Sequence, residues 1–201
     1  MTHEVTEILK AEHSAIKAVL MRLRIDLADQ HARNRLPDFD GLRMMLFYVD
    51  EFAEKHHHRR ESRLLFPTLR ARAPDLQHTL DRLESSHQRN KENLLEVEHS
   101  MLAFEMVGRA RRLGFDTAIA RFIDGYFAHM DVEERHVLPT AEAALAAEDW
   151  EEIDATFRRD GEPARCADTS GDYQDLLWRF CSGAAGVRLA SGFTPPHAGR
   201  W

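Results

Sequence analysis

Cysteine is nearly missing: Cys166 and Cys181 are the only two in a chain of 201 residues. They form no Cys-x-x-Cys pair and no disulfide framework. Glycine and proline are also few, ten and seven, a scarcity that suits helices. No stretch approaches the roughly 20 apolar residues that a membrane span needs. Met1-Thr2-His3-Glu4 has neither the basic start nor the apolar run of a signal peptide, so a cytoplasmic location is the expectation, with no membrane partner. An excess of basic charge is absent too: the net charge is −7, which argues against nucleic acid as the main partner. What the chain has in quantity is histidine, twelve residues, in a sequence 43% hydrophobic and 30% charged. That is enough apolar material for one good core, with an appendage rather than a second equal domain.

Apolar residues recur at helical spacing in four long stretches. Val5, Leu9, Ile16, Leu20, Leu23 and Leu27 make the first stripe, and His13 falls inside it. After a loop containing Pro37, Asp38 is placed to cap a second helix running to about Arg72, with Leu42, Leu46, Val49, Ala53, His57, Glu61 and Leu64 on one face. Pro67 is expected to kink or stop that helix. Pro74 suits the first turn of a third helix carrying Leu76, Leu80, Leu83, His87, Leu94 and Met101. Asp116 is expected to cap a fourth, with Ile119, Phe122, Ile123, Tyr126, His129, Glu133 and Val137 facing inward. The predicted fold is all-α: an up-down-up-down four-helix bundle over residues 1–147, with a short helical C-terminal extension over 148–201. Trp150, Ile153 and Phe157 mark one helix of that extension and Leu176 to Phe180 another. The extension is expected to pack on the bundle or on a partner subunit, the latter giving a homodimer.

The inward polar residues form a repeat. His57-x-x-x-Glu61 runs on to Pro67-Thr68, and His129-x-x-x-Glu133 runs on to Pro139-Thr140, both shifted by 72 residues. His13 and His87, single histidines on the intervening helices, are 74 apart. Residues four apart on a helix share a face, so each copy aims an imidazole and a carboxylate at one point. Four histidines and two carboxylates are costly inside an apolar bundle unless something satisfies them together. A metal does so, and nitrogen with carboxylate oxygen suits iron, manganese or zinc better than calcium. Each carboxylate has two oxygens, so Glu61 and Glu133 are placed to bridge two ions from opposite sides.

Several neighbours invite other readings. His136 is three residues after Glu133 and aligns with Leu64, which favours an outer or core role over a ligand. His58 aligns with Met130 and is expected beside the site. The basic run from His56 to Arg60 reads as a mostly solvated helix face. Tyr126 reads as a core tyrosine, His78 and His99 as surface residues. Glu54-x-x-His57, Glu84-x-x-His87 and Glu133-x-x-His136 match the spacing of ferritin-like di-iron proteins, but they leave His13, Glu61 and His129 unused.

These residues resemble the hemerythrin-like, or HHE, cation-binding domains. The likeness rests on His13, on His57-x-x-x-Glu61 ending in Leu65-Phe66-Pro67, on the single His87, and on His129-x-x-x-Glu133 ending in Leu138-Pro139. It implies a four-helix bundle around two iron ions, oxo- or hydroxo-bridged, with His13, His57, Glu61, His87, His129 and Glu133 as metal ligands. Oxygen-carrying hemerythrins have a second histidine on the third helix, where this chain has Lys91. They also place the last carboxylate one residue later, at the position of Glu134; the internal repeat favours Glu133. The resemblance implies a small diatomic ligand or peroxide as partner: binding or sensing of dioxygen, nitric oxide or peroxide, or iron handling. Any enzyme activity would be of a weak oxidoreductase, peroxidase or iron-donating kind. Family members that repair iron–sulfur clusters carry an added N-terminal region with cysteines, a feature this sequence lacks. A regulatory module, whose metal orders the bundle for a partner, is the competing expectation.

Overall fold

In the computed structural model, residues 3–160 are described, and all regular structure among them is helical. The expected helix around Leu176 and both cysteines lie outside the described residues. Five rods follow one another: α1 (Glu4–Ala32), α2 (39–72), α3 (Gln77–Val107), α4 (112–144) and α5 (Ala147–Asp160). α1 packs against α2 and α4, and α3 packs against the same two, so the first four close into an up-down-up-down bundle.

The connections are short because single residues turn the chain. Asn34, at φ 54°, takes the left-handed conformation that ends α1. Asp38 caps α2 as expected, accepting from Gly41 N at 3.1 Å. A Cβ on Gly41 would stand 2.8 Å from Asp38 Oδ2, so the tight cap uses the missing side chain. Gly108, at φ 84°, ends α3 and leads through the short 3₁₀ turn Arg109–Arg111 directly into α4. Asp116 therefore does not cap α4. The rod begins four residues earlier, at Arg112, and Asp116 accepts from the Arg112 Nε within it at 3.3 Å. Arg109 reaches back to Asn34 Oδ1 at 2.6 Å and ties the two turns at that end together.

α2 and α4 are not uniformly wound. α2 is α-helical over Phe39–Tyr48, π-helical over Val49–His57, and π-helical again over Glu61–Leu65. α4 has one π segment, Glu133–Val137, 72 residues after the second segment of α2. Such widened turns are frequent at functional sites. They also explain the prolines. Pro67 and Pro139 neither stop nor break their helices, because each opens the α-helical stretch that follows a π turn. Thr68 and Thr140 donate side-chain hydrogen bonds to the carbonyls of Leu64 and His136, at 2.8 and 2.7 Å.

Apolar layers lie above and below the inward polar residues on every rod. On α1, His13 sits between buried Leu9 and Ile16; on α4, His129 and Glu133 sit between Tyr126 and Val137. At one end Val5, Leu65, Phe66, Leu69, Leu83 and Leu138 pack with Trp150, Ile153 and Phe157 of α5, which closes that end.

Candidate metal centre

The six polar residues singled out in the sequence are brought together at the middle of the bundle. His13, His57 and Glu61 are fully buried, and Glu133, His129 and His87 are 1%, 3% and 6% exposed. α1 supplies His13, α2 His57 and Glu61, α3 His87, and α4 His129 and Glu133. Lys91, one turn beyond His87, is exposed, so α3 contributes one imidazole.

The imidazoles meet in pairs, tip to tip. His13 Nε2 and His57 Nε2 are 3.0 Å apart, and His87 Nε2 and His129 Nε2 are 3.1 Å apart. Each carboxylate spans both pairs. Glu133 Oε2 lies 3.2 Å from His13 Nε2 and its Oε1 3.1 Å from His129 Nε2. Glu61 Oε1 lies 3.4 Å from His57 Nε2 and its Oε2 3.6 Å from His87 Nε2. All four carboxylate oxygens are buried without a hydrogen-bond partner.

Three of the four outer ring nitrogens are held from behind, while His129 Nδ1 is buried without a hydrogen-bond partner. His13 Nδ1 donates to Glu134 Oε1 at 3.0 Å, and Lys17 donates to the same oxygen at 2.6 Å. His57 Nδ1 donates to Glu12 Oε2 at 2.8 Å, and Arg60 donates to the other Glu12 oxygen. His87 Nδ1 is 3.0 Å from Ser62 Oγ. A proton fixed on Nδ1 leaves Nε2 with its lone pair facing inward, the usual dress of a metal-binding histidine.

The electrostatics show what the cluster wants. Burial pushes His13 down, yet Glu133 and Glu61 outweigh it and hold its pKa up to about 10. His129 is raised by Glu133 in the same way, against burial. Glu133 is buried, which works against its charge, but His129 and His13 keep it well below the ordinary carboxylate range. His87 is pushed down by burial and then by its histidine neighbours. Two buried carboxylates demand positive charge between them, and the converging nitrogens repel one another unless a cation or a proton stands there. Unpartnered carboxylate oxygens, facing lone pairs and three outer nitrogens held in place fit a nitrogen–oxygen metal site.

Four expectations change. His58, expected beside the site, is 2% exposed and inside it, its ring stacked on His87 at a 4.1 Å centroid separation. Its donor atom, with those of Glu61, His87 and His129, forms a group all within 4.8 Å; His13, His57, Glu61 and Glu133 form another. The run from His56 to Arg60 is therefore no solvated face, since His57, His58 and Arg60 are buried. His136 is exposed and joins nothing at the site, because the π turn after Glu133 carries it round to solvent. The same winding buries Leu65 rather than Leu64 on α2. Glu84 is exposed and pairs with Arg70, which with exposed His136 removes the ferritin-like arrangement.

Spacing in the sequence does not single out Glu54 and reads Tyr126 as a core tyrosine, yet both adjoin the site. Glu54 is 3% exposed; it accepts a hydrogen bond from the Tyr126 hydroxyl and faces His58 Nδ1 with its other oxygen at 3.2 Å. The available signal was the pair Glu54 and His58, four apart in the same helix.

No described helix is long and apolar enough to cross a membrane. The hemerythrin HHE cation-binding domain family matches residues 4–141. An uncharacterized protein of Haemophilus influenzae is similar, 31% identical over 134 residues, which are 66% of this chain and 76% of that protein. The family match spans all but the last three residues of the bundle and includes the two histidine–glutamate groups at its centre, and on that basis the chain belongs to the hemerythrin HHE cation-binding family and is a metal-binding protein.

Proposed function

We propose that the centre holds two iron ions, one on His13 and His57, the other on His87 and His129, with Glu61 and Glu133 spanning both, and that the protein binds or senses dioxygen, nitric oxide or peroxide there. The observation that carries this reading is the pair of carboxylates, each turning one oxygen to each imidazole pair. When bound, an iron pair would supply electrons to, or reversible binding of, such a molecule. The rest is done by the chain. Glu134, Glu12 and Ser62 orient the imidazoles. The layers above and below exclude bulk water. None of the six side chains is more than 6% exposed, which favours a partner of a few atoms. The same donors accept manganese or zinc, so the choice of iron is part of the proposal.

The test is spectroscopic. Protein purified with iron should show the near-ultraviolet bands of an oxo-bridged pair, bleached on reduction. Anaerobic ferrous protein should change its spectrum with at least one of dioxygen, nitric oxide and peroxide. Indifference to all three overturns the small-ligand reading and leaves iron handling.

One contact path favours a second reading, in which metal occupancy sets how firmly α5 is held. The Arg60 guanidinium stacks over the Phe157 ring of α5 at 4.7 Å, and the same guanidinium binds the Glu12 that holds His57. Hydrogen exchange of α5 with and without metal decides it.

A further inference from the structure

His58 breaks the internal repeat. The corresponding residue of the second hairpin is Met130, buried and apolar, yet α2 places an imidazole there. That imidazole is held like those of His13, His57 and His87. Its Nδ1 is held from behind by Glu54, which Tyr126 holds in turn. Its Nε2 is buried with no hydrogen-bond partner. Its ring is stacked on His87 and stands edge-on to His129 at 5.1 Å. A histidine serving only to fill space would leave that nitrogen unsatisfied, a cost methionine avoids at the matching position.

We propose that His58 is a seventh metal ligand, giving Nε2 to the ion held by His87 and His129, so that one position takes three imidazoles and the other two. The two positions are then unequal by one protein donor, although the carboxylates that join them are shared. Glu54 is a positioning residue: by accepting from Nδ1–H it fixes the tautomer that leaves Nε2 free to donate. α2 supplies a third imidazole to the position for which α3, with Lys91 exposed, provides only His87.

The proposal rests on the cluster being a metal centre, and the experiment separates the two. Full-length protein is stripped with a chelator and titrated with cobalt(II), followed by visible absorption and calorimetry, for wild type and His58→Met. Circular dichroism of both metal-free proteins checks the fold. Wild type should take up two equivalents in two steps. His58→Met should leave one step unchanged and weaken the other at least ten-fold, with a shift in its absorption bands. Two unchanged steps in the variant overturn the role of His58 alone. No cobalt uptake by wild type overturns the metal centre itself. A second measurement needs no variant. Proton spectra of the cobalt-loaded wild type, with labelled histidine, should show five strongly shifted ring N–H signals; four would overturn the assignment.

Discussion

Glu54 is a carboxylate whose ordinary pKa of 4.5 is raised by burial to about 7, although the Tyr126 hydrogen bond pulls the other way. The consequence has a definite sign. Below 4.5 the folded and unfolded chains both hold the proton; between 4.5 and about 7 the folded chain alone holds it. Raising the pH through that window therefore removes stability. For metal-free protein, the stability of wild type relative to Glu54→Gln should fall between pH 5 and 7, by up to about 1.4 kcal/mol per pH unit. Urea unfolding of the two proteins at several pH values measures it, and a flat or rising difference refutes the assignment. Glu54 and His58 were hard to find in the sequence for one reason. The four-residue rule picks His57 and Glu61 as a shared face, and assigns the adjacent strip, Glu54 and His58, elsewhere. In the structure both strips of α2 face inward.

At the level of the helices, the inward-facing residues His57, Glu61, His129 and Glu133 were legible because α-helical spacing holds from each histidine to its glutamate. The winding beyond each glutamate was not legible. The π turns Glu61–Leu65 and Glu133–Val137 leave Leu64 only partly buried at the edge of the core, place His136 in solvent and let Pro67 and Pro139 stay within their rods. A hydrophobic periodicity read at 3.6 residues per turn does not register one widened turn. The start of α4 was missed for a local reason: Asp116 is a good cap by type, but Gly108 turns the chain early enough for the helix to begin at Arg112. α5 was visible as Trp150, Ile153 and Phe157, all 3% exposed or less. Its link to the centre was not, since it passes through Arg60, which the basic run disguised. If that link transmits occupancy, backbone amides of residues 147–160 should exchange faster in metal-free than in metal-loaded protein by hydrogen-exchange mass spectrometry. Equal rates in both states would show that the Phe157, Arg60 and Glu12 contacts carry nothing between α5 and His57.

For the molecule as a whole, the bundle is a holder. Two apolar layers keep water from a middle layer of imidazoles and carboxylates, a layer that would be costly without a cation to satisfy it. The up-down-up-down order was readable because short links between long stripes leave few other topologies. The convergence of the polar groups was readable because the second hairpin repeats the first. Elemental analysis against protein concentration tests the central claim most directly, on protein purified with iron supplied. It should find two metal ions per chain, retained by His99→Ala and lost from Glu61→Ala and Glu133→Ala. Metal-free wild type, or full metal in both glutamate variants, would contradict the account.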